Sequence, residues 1–302
     1  MSRWANGLDR TLALIGVGAA AFLIVYTLLM GLSPQYVLVA ALMAVVCLFW
    51  SLQRKRLHLR ELTDPYDGLN RGRLALATIF FVLFTLSILS VYFRTSLYER
   101  PVEYFVLTAL MVGAVGVQTL TSKGRWTYLA LVQIIIIGLS LAWSQLFLFP
   151  GVMQADPWYH QLFTQFMLAE QRIPDFSYEH IPLFHLLVGS TSLVDQLDYK
   201  AAMTLSVSLG QTVVLILFTF LLGRSLTRSP QLGLLAALVL AFSDHEIMMA
   251  ATVIPGSLAA AFVPMIIYML VKVERWRGVA IGISAFLMCA VVLTHTITST
   301  WV

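Results

Sequence analysis

Thr11 to Leu32 is a run of 22 residues without one charged side chain, and comparable apolar runs recur along the whole chain. This feature constrains the fold more than any other. A bilayer core ~30 Å thick needs ~20 apolar residues per crossing helix, and within it a chain must satisfy its backbone by helix or closed barrel. The runs are helix-length, so the fold class is all-α, a polytopic transmembrane helix bundle with about nine spans. These are 11–32, 35–52, 74–93, 104–121, 126–149, 201–223, 231–249, 254–271 and 279–300. At 59% hydrophobic and 11% charged residues, the chain has too much apolar surface for a soluble domain to bury.

Arg3 and Arg10 precede the first run, but the run is too long and lacks a cleavage-like end, so it reads as a retained span. Cys47 and Cys289 lie inside apolar runs and read as small hydrophobes, with neither a disulfide framework nor metal spacing. The formal charge of +4 does not indicate nucleic acid, because the basic residues sort by loop.

Lys and Arg collect in cytoplasmic loops, and this sets the orientation. With the N-terminus inside, the inner segments hold Arg3, Arg10, Arg54, Lys55, Arg56, Arg60, Arg71, Arg73, Lys123, Arg125, Arg224, Arg228, Lys272, Arg275 and Arg277. That is fifteen of nineteen basic residues, while ten of fifteen acidic residues fall outside. The Arg54–Arg60 cluster also attracts anionic lipid. The assignment requires that Ile181–Val194, too short to span, lies at the outer surface. A multi-pass protein of the cell membrane follows, with a cytoplasmic N-terminus and loop 150–200 extracellular.

That loop is long for a bundle connection, and such loops are usually functional or disordered. Its composition argues for order. "HQLFTQFMLAEQRI" places Leu162, Phe163, Phe166, Met167 and Ala169 on one side of a helix, with Gln161, Gln165, Glu170 and Arg172 largely on the other. Asp156 is expected to cap this helix with Pro157 at its first position. Pro174 is expected to end it, and a second surface helix to begin at Pro182. The bundle thus has amphipathic outer-surface helices between spans five and six.

Two further polar elements point to the same side. Asp244 comes 13 residues after Gln231, or ~20 Å of helix rise. His295 comes 16 residues after Val279, or ~24 Å. Ionisable groups at membrane depth are costly and tend to mark a site. The expectation is that Asp156, Asp244, Glu246 and His295 converge at the outer rim, where carboxylates and histidine can hold a divalent cation or supply a base.

The motif "ADPWYHQ" after a span resembles the first outer loop of the GT-C superfamily of membrane glycosyltransferases, in particular the "DPWYH" of archaeal oligosaccharyltransferase catalytic subunits. "IPLFHLLVG" is similar to the "PPLFHLL" that follows that loop in polyprenol-dependent members. "LLGRSLTRS" resembles their basic inner turn, and "SDHE" their second acidic motif. The resemblance covers about residues 126–302. It divides the chain into a four-span N-terminal region, 1–125, and a GT-C-like module, 126–302, expected to be incomplete at its C-terminus.

The resemblance implies transfer of a sugar or glycan on the outer face. The donor is a polyprenyl (dolichol-type) phosphate or diphosphate carrier seated in membrane lipid, and the acceptor is a protein, lipid or glycan, as in protein glycosylation or cell-envelope assembly. It implies Asp156 as the catalytic carboxylate, with Asp244 and Glu246 as acidic partners. It also implies that these three hold a divalent cation, Mg or Mn. Trp158, Tyr159, His160, Glu179, His180, His185 and His295 are the candidate substrate-binding residues.

Plainer roles stand beside these. Asp156 can be a helix cap, and His160 shares its helix face as a packing residue. Trp158 and Tyr159 can be interface anchors. Glu179, His180 and His185 can be solvated loop groups, and His295 a hydrogen-bonded core residue. The same intramembrane acids also suit a transporter or flippase of a lipid-linked substrate, though no internal repeat of the kind transporters show is visible. A non-catalytic membrane scaffold is the third alternative.

Overall fold

The structure, a computed structural model, describes residues 5–29, individual positions between 37 and 52, and residues 66–175 and 178–295. Among the described residues there is no strand. The helices are α1 (Ala5–Leu29), α2 (Tyr66–Tyr92), α3 (Val102–Thr121), α4 (Arg125–Leu146), α5 (Ala155–Glu170) and α6 (Leu183–Asp195). The long α7 (Tyr199–Thr227) follows, with a π-turn at Thr204–Ser208, and then α8 (Pro230–Ala241), α9 (Asp244–Thr252), α10 (Pro255–Val271) and α11 (Val273–Val292). Most of the expected span 35–52, the basic loop carrying Arg54, Lys55, Arg56 and Arg60, and the segment 296–302 lie outside the described residues.

The chain separates into two compact units, Met1–Asp67 and Gly68–Val302. In the first, Gly16 of α1 faces Cys47, where an added Cβ would lie 2.6 Å from the Cys47 sulfur. The second unit contains α3 to α11 and almost all of α2.

Five described helices are long and apolar enough to cross a membrane: Arg71–Tyr92, Val102–Thr121, Arg125–Leu146, Tyr199–Thr227 and Val273–Val292. A sixth is added if α8 and α9, bent by 59°, form one span. The described residues therefore carry five or six candidate spans; the expected count of about nine includes 35–52, most of which lies outside them. At 17 residues α10 falls below the length of the others, and α6, with 13, is the short helix expected over Ile181–Val194.

Two boundaries differ from expectation for local reasons. The run 231–249 is not one helix. Ser243 takes an extended conformation between α8 and α9, where the polar sequence Ser243-Asp244-His245-Glu246 begins and short polar side chains compete for the backbone. Secondly, α11 is kinked at Arg277, with φ of 24°, just before the expected start at Val279, and it ends at Val292, so His295 lies past the helix end rather than inside a span 279–300.

The core forms around α4, which packs against α3, α7, α8 and α9. Ile134, Ile137 and Leu141 of α4 are buried with Met111 and Val115 of α3, Phe220 of α7 and Leu234 of α8. Tyr104 is fully buried there, and its hydroxyl donates to the Ser140 carbonyl at 2.9 Å while accepting from Ser144 Oγ. α7 and α8 meet with almost no side chain between them. A Cβ on Gly233 would lie 2.6 Å from the Phe220 carbonyl oxygen and 2.9 Å from the Arg224 nitrogen, the small-residue contact that lets helices approach in membranes. Ser229 starts α8 by accepting from Leu232 N, with Pro230 at the first position.

A second core lies beneath the loop helices. Phe184 and Val188 of α6 are buried with Leu146, Val152, Met203, Val207, Val253 and Leu258. The Lys200 ammonium donates to the Phe149 carbonyl, tying the start of α7 to the end of α4. This core fixes where α6 presents His185.

Candidate functional site

α5 buries only part of its apolar side. Pro157, His160, Phe163, Thr164 and Met167 are buried, whereas Leu162 and Phe166 are about half exposed with Trp158 and Tyr159. Nor does Asp156 cap the helix. Gln154 is the cap residue, with φ of 65°, and Asp156 stands in the first turn after Ala155. α5 ends at Glu170, where Gln171 adopts φ of 54°, before Pro174 is reached. A carboxylate in the first turn is favoured by the helix dipole, and Asp156 keeps its side chain 59% exposed.

Behind Asp156 lies a closed set of rings. His160 Nε2 is 3.5 Å from Asp156 Oδ1, at the limit of a hydrogen bond. His160 Nδ1 is 3.1 Å from His185 Nε2. Both histidines are buried. Tyr178 packs edge-on against both, with centroids 4.9 Å and 5.0 Å away, and Phe163 and Phe184 close the remaining sides.

The protons follow from the contacts. With Asp156 accepting, His160 carries its proton on Nε2, and its Nδ1 then accepts from His185 Nε2–H. His185 Nδ1 is left as a buried nitrogen without a partner, tolerable as a lone pair and costly as an N–H donor.

Electrostatics agree with neutral rings. Burial lowers His160 to about 4, with Asp156 opposing and His295 reinforcing the shift. Burial, then His160, lowers His185 to about 3. Burial, then Asp156 and Tyr159, raises Tyr178.

His295 reaches this cluster through the backbone: Leu183 N, at the start of α6, donates to the Leu293 carbonyl past the end of α11. The His295 ring lies over Gly256, where a Cβ would meet it at 3.5 Å. Burial lowers His295, and Asp156 opposes that shift.

The structure thus brings Asp156, His160, His185 and His295 together and adds Tyr178, which sequence reasoning passed over. Tyr159 sits beside Tyr178 with centroids 6.0 Å apart. Trp158 is 54% exposed, its ring against Gly151. Glu179 and His180 lie 4.0 Å from each other on the surface, His180 almost fully exposed. Asp244 and Glu246 are held by another part of the bundle: α9 packs chiefly on α4, and Glu246 lines a cavity with residues of α4, α7, α8 and α9. No hydrogen bond or ion pair joins Asp156 to either of them among the described residues.

The expected ligand set of Asp156, Asp244 and Glu246 is not assembled. Among the described residues no three His, Cys, Asp or Glu side chains are grouped to hold a metal ion, and Asp156 is backed by neutral imidazoles.

The cavity at Glu246 holds two polar residues that sequence reasoning missed. Gln211 and Thr212 of α7 line it, both are buried, and neither the Gln211 amide nor the Thr212 hydroxyl has a partner. Such groups cost ~1–3 kcal/mol each when unsatisfied. A lone Gln within an apolar run was the available signal.

Compared with known protein families, curated proteins and solved structures, the chain matches none. The class therefore rests on the fold: an all-helical, membrane-embedded protein with several apolar helices. Its candidate site is a carboxylate–imidazole cluster built on the two short helices between the long ones.

Proposed function

We propose that the protein is an integral membrane glycosyltransferase of the GT-C type, moving a sugar or glycan from a polyprenyl phosphate or diphosphate carrier to an acceptor on the outer face. The observation that carries this reading is Asp156, an exposed carboxylate in a helix first turn that faces a buried His160–His185 pair. A general base needs reach to the acceptor and an orienting group behind it, and here solvent lies on one side of the carboxylate and an imidazole on the other.

In this mechanism Asp156 accepts the proton of an acceptor hydroxyl or amide as that group bonds to the sugar anomeric carbon. The bond from that carbon to the carrier phosphate breaks, and the phosphate leaves with the electron pair. His160 orients the carboxylate through Nε2–H and His185 orients His160. Tyr178 and His295 border the same carboxylate. Trp158 and Tyr159, exposed on the same helix, offer ring faces to a sugar or to interfacial lipid. No step is routed through a metal, because the residues present do not assemble one of the expected kind.

The test replaces Asp156 by Asn in the full chain and measures sugar transfer from a polyprenyl carrier. Transfer at the wild-type rate by a folded variant sinks the reading. A second reading, transport or flipping of a lipid-linked substrate, draws on the break between α8 and α9, since discontinuous helices build many transporter sites. Movement of the carrier across vesicles without sugar transfer would favour it.

A further inference from the structure

We propose that the half-open cavity lined by α4, α7, α8 and α9 binds one sodium-sized monovalent cation, held by Gln211, Thr212 and Glu246. This is separate from the Asp156 cluster and does not depend on the glycosyltransferase reading.

Three observations converge. The polar lining is Gln211, Thr212 and Glu246, against otherwise apolar side chains. Gln211 Oε1, Gln211 Nε2 and Thr212 Oγ1 are buried without a partner, with Gln211 1% exposed. Lastly, Leu240 and Ala241, the last two residues of α8, face the same space. A helix C-terminus carries the negative end of the dipole, although the Leu240 carbonyl itself already accepts from Ser243 N. Hard oxygen donors, one carboxylate and a helix C-terminus make a cation site.

Size and charge select the cation. The cavity is about 20 Å³, room for a single water-sized body. A magnesium ion keeps several waters, and calcium asks for six to eight oxygens, more than the three polar side chains here supply. One carboxylate neutralises a monovalent ion, whereas a divalent one would leave an uncompensated charge in apolar surroundings.

Gly138 supplies the space. A Cβ there would lie 2.8 Å from Ile216 Cδ1 and 3.2 Å from the Thr212 methyl. A larger residue at 138 would push Thr212 within the site.

The test is thermal unfolding of the full chain in nanodiscs of one neutral lipid, in sodium, potassium or choline chloride at equal ionic strength. A saturable rise in midpoint of about 2–4 °C in sodium over choline is expected. Glu246→Gln and Gln211→Leu should each abolish that rise. Thr212→Val, the mildest change, should weaken sodium affinity and serves if the others fail to fold. Equal midpoints in sodium and choline overturn the proposal and leave a buried water there. An equal rise in potassium overturns the size assignment, and a full sodium response in a folded Glu246→Gln variant overturns the ligand set.

Discussion

The two polar regions of the second unit differ in one respect. Around His160 and His185 each ring nitrogen but one has a partner, and aromatic side chains close the cluster. Around Gln211 and Thr212 the polar atoms have none and line a space instead. A satisfied network holds a side chain in place, while an unsatisfied one calls for a ligand. Asp156 is therefore positioned by protein, and Glu246 faces a cavity that protein does not fill.

The contrast is open to attack, and the largest effect is expected at Asp156. Asp156→Asn should lower sugar transfer by ~10²–10⁴-fold, the range for removing a positioned acid or base. Its stability should stay within ~0.5 kcal/mol of wild type, as for exposed positions. A turnover assay alongside a melting curve checks both.

His185→Ala comes next. It empties a ring site against Phe163 and strips His160 Nδ1 of its donor, and should cost about 2–4 kcal/mol in unfolding free energy. Combined with His160→Ala the losses should fall short of additive by ~0.5–3 kcal/mol. Strict additivity would show the two rings to be independent.

Gly233→Ala should cost about 1–3 kcal/mol through overpacking, because the atoms a Cβ would strike are backbone of α7 and cannot rotate away. Wild-type stability in denaturant titration would mean that α7 and α8 are further apart than described.

The pH dependence is expected to be smaller and has a definite sign. Burial lowers His160 and His185 from the ordinary 6.5 of the unfolded chain to about 4 and about 3 in the folded protein. Below 6.5 the unfolded chain binds more protons, so stability falls with pH from 6.5 toward 3. A melting midpoint flat over that window would contradict neutral buried rings, and His160→Gln should make the slope shallower.

Gln211→Leu is the smallest change and completes the contrast. In sodium-free buffer it should be neutral within ~1 kcal/mol or slightly stabilising, since it removes unsatisfied polar atoms. A loss comparable to that of His185→Ala would mean that Gln211 is already paired.

Much of the frame was legible in the chain. Apolar runs located four of the candidate spans to within about four residues at either end, because bilayer thickness and helix rise leave little freedom. The short helix Leu183–Asp195 and its start after Pro182 were legible for the same reason. The break at Ser243 was not read, although four consecutive polar residues follow Phe242. Asp156 was visible as chemistry, but the cap lies two residues earlier than expected. Local preference favours Asp at a cap, while the observed cap is Gln154. Which face of α5 turns inward was not legible, because the environment outside an interfacial helix is itself apolar, so hydrophobicity does not tell inside from outside there.

By itself the sequence determined the all-helical class and most of the helix register, because backbone satisfaction in an apolar medium is a local requirement. Only the tertiary structure decided which polar groups meet. Asp156 is joined to His160 and His185 and approached by His295 across more than a hundred residues, through the Leu183–Leu293 hydrogen bond. Glu246, just past the bend between α8 and α9, lines a cavity with Gln211 and Thr212 instead. Such pairings depend on how helices cross and where a span breaks, which no spacing along the chain encodes.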